Sequence, residues 1–315
     1  FCFKESGIFA YKHDPSKRQD MIVLMKDLNT PNDHTVLVDP NEIDTTGSLS
    51  IDWMVPSPDG EYLAVSISKS GTESGNLRIY QVSEKKELED QRISRVNGAT
   101  AGGSLAWKPD CKGFYYTRYP RKGERPDEDL DFFQQVYYHE LGKNPDTDQY
   151  ELGEELPKIA AIKLTAHPQE NFVLATVQDG DSGRFSLYLK NNEGKWLKLS
   201  EFDDQIVQGV FGKDLSLYLV SRNKAPKGFV LQLPLNGEIN LNQGKIIIPE
   251  TENSLITDFY YQSKFIVTDK YIITAYQTGG PSELKIFKTD GTPLPNPGQE
   301  PNSTINTLTA VNDSK

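Results

Sequence analysis

The sequence predicts an all-β fold, and within it a seven-bladed β-propeller whose first blade starts late and whose seventh is cut short. Three observations carry that reading. Runs such as Tyr62-Leu63-Ala64-Val65-Ser66-Ile67 and Phe172-Val173-Leu174-Ala175-Thr176-Val177 are short, rich in β-branched or aromatic residues, and bounded by Pro, Gly, Asp and Asn, as strands are. Helical periodicity is missing. The best candidate, Glu84-Lys85-Lys86-Glu87-Leu88-Glu89-Asp90, has too small an apolar face and reads as a charged loop. Above all, a turn followed by an apolar strand returns along the chain.

A partial copy opens the chain at Lys4-Glu5-Ser6-Gly7-Ile8-Phe9. Fuller copies start at Pro58-Asp59-Gly60-Glu61-Tyr62, Pro109-Asp110-Cys111-Lys112-Gly113-Phe114 and Pro168-Gln169-Glu170-Asn171-Phe172. Looser ones follow at Lys213-Asp214-Leu215-Ser216-Leu217 and Thr268-Asp269-Lys270-Tyr271-Ile272, and a last turn at Asn312-Asp313-Ser314-Lys315. From Pro58 the steps are 51, 59, 45, 55 and 44 residues. That is the length of a propeller blade of three to four strands, and a β-sandwich sustains no such period. Pro presets one turn angle, Asp bonds its own backbone and Gly accepts positive φ, so each hairpin reverses tightly. Short strands such as Ser104-Leu105-Ala106-Trp107 precede the turns, and outer strands such as Val136-Tyr137-Tyr138-His139 follow. The units divide a single propeller domain, 1–315, at about 1–45, 46–98, 99–157, 158–202, 203–252, 253–303 and a partial 304–315. An unfinished blade leaves unpaired edges, which natural proteins avoid. With a start at Phe1 rather than Met, this points to a fragment of a longer chain.

Lys and Arg number 34 against 45 Asp and Glu, a formal charge of −11. An acidic surface without a basic block argues against nucleic acid and anionic membranes. No apolar run nears the roughly 18 residues of a membrane helix; Met21-Ile22-Val23-Leu24-Met25 is among the longest. Cys2 and Cys111 read as two free thiols, which fit a reducing compartment. Without a signal peptide in the sequence, the expected location is cytoplasmic; the periplasm stays open if an export signal precedes Phe1. His13, His34, His139 and His167 are scattered, so no metal set is expected.

The turns and strands also carry a family resemblance. Val38-Asp39-Pro40-Asn41, Pro58-Asp59-Gly60-Glu61-Tyr62-Leu63-Ala64 and Ser68-Lys69-Ser70-Gly71 resemble the first blade junction and second blade of the prolyl oligopeptidase propeller. Ala106-Trp107-Lys108-Pro109-Asp110-Cys111-Lys112-Gly113-Phe114-Tyr115-Tyr116-Thr117-Arg118-Tyr119-Pro120 resembles its third blade closely, and Gln135-Val136-Tyr137-Tyr138-His139-Glu140-Leu141-Gly142 the strand after it. Motifs agree over residues 36–142; elsewhere the resemblance is one of architecture. It implies a seven-bladed propeller, not closed by a shared strand, that caps an α/β-hydrolase domain. That domain carries a Ser-Asp-His triad, cleaves short peptides after proline, and lies outside these 315 residues. It also implies exclusion of large folded proteins. Family members carry a pocket-lining aromatic five residues before the tryptophan of the Ala-Trp pair. Gly102 stands there, which implies a wider or differently filled pocket and a less strict proline preference.

No catalytic chemistry is expected of this chain alone. A hydrolase nucleophile needs Gly-x-Ser-x-Gly on a strand-to-helix turn. The nearest string, Gly102-Gly103-Ser104-Leu105-Ala106, runs into a strand. No histidine has a sequence signal for an acid partner, and all four read as surface or packing residues. Asn144-Pro145-Asp146-Thr147-Asp148 with Glu155 mimics calcium-loop spacing, but Gln149 occupies the glycine position and flanking helices are missing. Asp179-Gly180-Asp181-Ser182-Gly183 reads as a hairpin turn. Gly98, Gly102 and Gly103 form no phosphate loop, since no Lys-Ser/Thr follows. Asn302-Ser303-Thr304 reads as a chance glycosylation triplet. The one basic cluster, Arg118-Tyr119-Pro120-Arg121-Lys122-Gly123-Glu124-Arg125-Pro126, precedes the acidic Asp127-Glu128-Asp129-Leu130-Asp131. It reads as a solvated loop, or, by the resemblance, as one facing the catalytic domain or substrate.

The expected function is a non-catalytic gating and substrate-filtering propeller of a prolyl oligopeptidase-like serine endopeptidase. Its partners would be its own α/β-hydrolase domain and short proline-containing peptides, with no cofactor, nucleic acid or membrane. The alternative is a stand-alone propeller scaffold, though the Trp-Asp and Gly-His signatures of such arrays are missing. A propeller enzyme with a central site would need converging acids, His or metal ligands, and none stands out.

Overall fold

The computed structural model describes residues 1–260 and 264–310. Its strands form six sheets, each built from neighbours in sequence and paired antiparallel. The first holds Cys2–Lys4, Gly7–Lys12, Met21–Met25 and His34–Val38. The second holds Leu49–Pro56, Tyr62–Lys69 and Gly75–Gln81, with Lys86–Glu87 and Ile93–Asn97 sharing the outer edge. The third holds Leu105–Trp107, Gly113–Arg118, Gln135–Glu140 and Gln149–Leu152. The fourth runs Ala160–Ala166, Val173–Asp179, Phe185–Lys190 and Trp196–Ser200. The fifth holds Ile206–Phe211, Ser216–Ser221, Phe229–Pro234 and Lys245–Ile248. In the sixth, Ser254–Leu255 and Phe265–Val267 share one edge of Tyr271–Gln277, and Ser282–Lys288 takes the other.

The chain clusters into two compact units, Phe1–Leu164 and Thr165–Lys315. In the first, Phe9, Ile22, Leu37, Leu63, Val65 and Tyr80 join sheets one and two in one core. Ala64, Leu77, Ile79, Trp107, Phe114 and Tyr116 join sheets two and three in another. In the second unit, Leu187, Leu189, Leu217, Leu219 and Leu233 join sheets four and five, and Tyr218, Val220, Ile272 and Tyr276 join five and six. The second strands of the third and fifth sheets therefore bury both faces. Gly113–Arg118 and Ser216–Ser221 are buried at every residue, which is why these strands read as continuous apolar runs rather than alternating ones.

The repeated turn has the expected chemistry. Asp59 Oδ1 accepts the Glu61 N–H at 3.0 Å, and Asp110 Oδ1 accepts that of Lys112 at 3.1 Å. In the fourth sheet Gln169 stands at the Asp position and His167, two residues earlier, makes the turn bonds, its Nδ1 accepting the N–H groups of Gln169 (3.1 Å) and Glu170 (2.9 Å). Gly60 sits at φ +74°, where an added Cβ would fall 2.0 Å from Ser6 Oγ. Cys111 takes the matching place in the third sheet at φ +56°.

Several strands went unread in the sequence. The outer strands Lys86–Glu87 and Gln149–Leu152 are short and largely polar, and His34–Val38, Trp196–Ser200 and Lys245–Ile248 are largely apolar but only four or five residues long. The segment read as a charged loop, 84–90, contributes Lys86–Glu87 to the second sheet and leads into a 3₁₀ turn at Glu89–Gln91. Residues 304–310 carry no strand, and the turn copy at Asn312–Lys315 lies outside the described residues.

Candidate functional site

The third sheet has two contrasting ends. At one, Arg118 pairs with Gln135 in register and the chain leaves the sheet for residues 119–134. Pro120 and Pro126 cannot extend a ladder, and Gly123 at φ +91° supplies a turn between them. The loop is tied down at each step. The buried Arg118 guanidinium meets Glu124 through two bonds, Nη1 to Oε2 at 2.7 Å and Nη2 to Oε1 at 3.0 Å. It lies 4.1 Å from the centre of the Tyr137 ring. The Arg121 N–H adds a bond to Glu124 Oε2 at 2.8 Å. Burial pushes the Glu124 carboxyl up, but the Arg118 and Arg121 bonds outweigh it and hold the group below the usual carboxylate range.

Further along, Arg95 bonds the Leu130 carbonyl (2.6 Å) and Asp131 (2.9 Å), and Lys158 pairs with Asp129. Arg125 stacks over Phe133 at 3.8 Å. The basic and acidic runs are thus not paired with each other. Asp129 and Asp131 reach cations elsewhere in the chain, while Arg121 reaches Asp146 at 3.2 Å.

An open cleft of about 510 Å³ lies on this loop, lined by Pro120, Glu124, Arg125, Pro126, Gln135 and Tyr137. The Tyr137 hydroxyl donates to Gln135 Oε1 at 3.1 Å, which leaves the Gln135 amide N–H groups as donors. A second cleft, of about 310 Å³, is lined by Tyr11, His13, Arg18, Gln19, Asp20, Ser50 and Ile51.

At the other end of the sheet, His139 is fully buried. Its Nδ1 lies 2.7 Å from Asp148 Oδ1 and its Nε2 lies 2.9 Å from Gln91 Oε1. Asp148 Oδ2 accepts the Tyr116 hydroxyl at 2.7 Å. Gln91 is oriented by the Gly142 N–H on its Oε1 (2.8 Å) and by its own bond to the Lys143 carbonyl (3.2 Å).

The remaining residues singled out in the sequence are placed as follows. Ser104 is buried, and its hydroxyl oxygen accepts the Leu164 N–H at 2.9 Å. His13 pairs with Asp20 in the open, and His34 bonds the Pro31 carbonyl. Burial lowers the His167 pKa. Asn144 caps its own turn through the Asp146 N–H, Asp146 meets Arg121 and Asp148 meets His139, so the calcium-like oxygens face different partners. Among the described residues no three His, Cys, Asp or Glu side chains converge. Asp179 holds Arg184 across its turn. Gly102 sits at φ +62°, its carbonyl accepts the Gln134 amide at 3.0 Å, and a Cβ added there would meet nothing nearer than Asn97 Oδ1 at 3.9 Å. Cys2 and Cys111 are free, and burial pushes the Cys111 thiol up to about 11. The Arg118–Glu124 clamp went unread, although opposite charges around a Pro-Gly turn were its signal. The partners of His139 are 9 and 48 residues away and had none.

Successive antiparallel sheets, four-stranded or nearly so, each packed face to face on the next within its unit, define a β-propeller. The chain matches the family described as prolyl oligopeptidase, N-terminal β-propeller domain, over residues 2–308, and it belongs to that family. It is 25% identical to prolyl oligopeptidase A of Galerina marginata over 279 residues, 81% of this chain and 36% of that protein. It is 23% identical to the prolyl endopeptidase of Elizabethkingia meningoseptica over 225 residues, 70% of this chain and 30% of that one. The chain thus spans about a third of the length of these relatives. Among solved structures, a prolyl endopeptidase studied for inter-domain dynamics in catalysis and specificity superposes with a TM-score of 0.81 at 18% identity, covering 95% of this chain and 42% of that one. Prolyl oligopeptidase B of Galerina marginata, solved without ligand, gives 0.74 at 17%, covering 91% and 42%. Among the described residues no helix is long and apolar enough to cross a membrane.

Proposed function

We propose that this chain is the gating and substrate-filtering propeller of a prolyl oligopeptidase-like serine endopeptidase that cleaves short peptides after proline. The observation that carries the reading is the family match over 2–308, joined to relatives named as prolyl oligopeptidases and more than twice as long. The repeat units drawn from the sequence are read as its blades. In this reading the nucleophile and its base belong to an α/β-hydrolase domain outside these residues. The propeller acts by steric exclusion and by positioning, which can supply several kcal/mol without touching the reacting atoms. The anchored loop 119–134 supports the reading, because a filter needs a surface that is folded before substrate arrives. The two free thiols support a reducing, cytoplasmic setting.

The test is a proline-reporter peptidase assay on this chain and on the longer protein that contains it. Activity in the longer protein alone is the expected result. The longer protein should also cleave a free peptide while sparing the same sequence inside a folded protein. Activity in this chain, or silence in both, would sink the proposal.

A further inference from the structure

The cations at the loop end of the third sheet are nearly all matched. Arg95 meets Asp131, Arg118 meets Glu124, Arg121 meets Asp146 and Lys158 meets Asp129. Arg125 is the exception among the arginines of this end. Its guanidinium lies 3.8 Å above the Phe133 ring and lines the open cleft, with no carboxylate partner among the described residues. A stacked guanidinium keeps its edge N–H groups free in a fixed plane, which suits a planar two-oxygen anion. The Gln135 amide donors line the same cleft. The one carboxylate in the lining, Glu124, has its oxygens occupied by Arg118 and Arg121. Tyr137, Pro120 and Pro126 add apolar walls. A space of about 510 Å³ lies within the usual range for a small-ligand site.

We propose that this cleft binds the free C-terminal carboxylate of a short peptide, with Arg125 as its principal anchor, Gln135 as a second donor, and the Tyr137–proline walls against the last side chains. The choice of a peptide as ligand rests on the proposed function; the carboxylate preference rests on the cleft alone. An acidic side chain of a neighbouring domain has the same chemistry. The size and openness of the cleft favour a mobile peptide end, and the experiment separates the two.

The experiment is calorimetric titration of this chain with acetyl-Ala-Pro as the free acid and as the C-terminal amide. The acid should bind at least about tenfold more tightly, the effect of one charge-assisted bidentate contact. Arg125→Gln should erase the preference, and Gln135→Met should weaken acid binding by about two- to tenfold, the range of a neutral hydrogen bond. Equal binding of acid and amide, binding of neither, or acetate competing as well as the peptide would overturn the proposal. The acid–amide comparison needs no variant, so a misfolded Arg125→Gln leaves the test intact. The same titration on the longer protein separates the occupants: binding kept there supports a peptide, and binding lost there means another domain covers the cleft and overturns it. None of these readouts requires turnover, so a missing peptidase activity would count against the proposed function and not against the site.

Discussion

The two ends of the third sheet hold similar side chains and use them differently. Around His139 every polar atom of the cluster meets another, and the cluster is sealed from water. Around Arg125 the guanidinium is left without a carboxylate partner among the described residues, and the surface stays open. A satisfied buried network fixes one arrangement of the chain. A surplus donor beside a cleft costs little while water covers it and becomes useful when an anion arrives. The first end specifies structure, and the second offers a site. The loop at the second end, 119–134, combines the two kinds of contact: its base is clamped by buried Arg118 and its outer part is exposed.

The sharpest way to break this contrast is to remove His139. His139→Ala leaves Asp148 and Gln91 buried without their shared partner. Losing one member of a buried pair costs about 3–5 kcal/mol. Urea unfolding of this chain should show a loss of that size, whereas Arg125→Gln should leave the midpoint nearly unchanged. Comparable losses from both would show that the two ends are not different in kind. Arg118→Met ranks next. It removes the bidentate bond to Glu124 and the stacking on Tyr137, and charged hydrogen bonds of this sort are worth about 1.5–3 kcal/mol. Hydrogen exchange should rise across 119–134 and stay slow at Tyr116 and His139. Uniform protection in the variant would mean that the other anchors hold the loop without the clamp.

The same contrast explains what could be read from the sequence. The turns were legible because Pro-Asp followed by Gly or its substitute acts within four residues, and the aromatic strands were legible because both their faces are buried. Gln149–Leu152 was not, since an outer strand with exposed polar residues has no pattern of its own. Loop 118–126 stood out by charge. What that charge does depends on Asp146, Asp129 and Asp131, and on which cation was left over, and that is settled only by folding. From sequence His139 reads as a surface or packing residue; it is buried, and its bonds to Asp148 and Gln91 are invisible to any local rule.

A smaller effect is expected at the turn on the sealed side. Cys111 occupies a left-handed conformation at φ +56° where the second sheet has Gly60. Cys111→Gly relieves roughly 1–2 kcal/mol of steric cost, but it adds freedom to the unfolded chain and removes a half-buried side chain. The opposing terms leave a net change within about 1 kcal/mol in urea unfolding. A loss as large as that of His139→Ala would mean that the turn, not the polar network, organises this end.

The last prediction concerns pH and the loop alone. The Glu124 carboxyl is held below the usual range in the folded chain, and an unfolded Glu titrates near about 4.3. A depressed acid favours the folded arrangement above the unfolded value, and the benefit fades as pH falls through the folded one. The clamp should therefore be complete from neutral pH down through the ordinary carboxylate range and release only on its acid side. Glu124 is partly exposed, so the release should loosen residues 119–134 without unfolding the sheet. Hydrogen exchange, corrected for its intrinsic pH dependence, should show an acid-side loss of protection confined to that loop. Arg118→Met should remove most of the step, because Glu124 then keeps only the Arg121 N–H. A step that survives undiminished in Arg118→Met would assign the acid response to another pair, Asp129 with Lys158 being the first to examine.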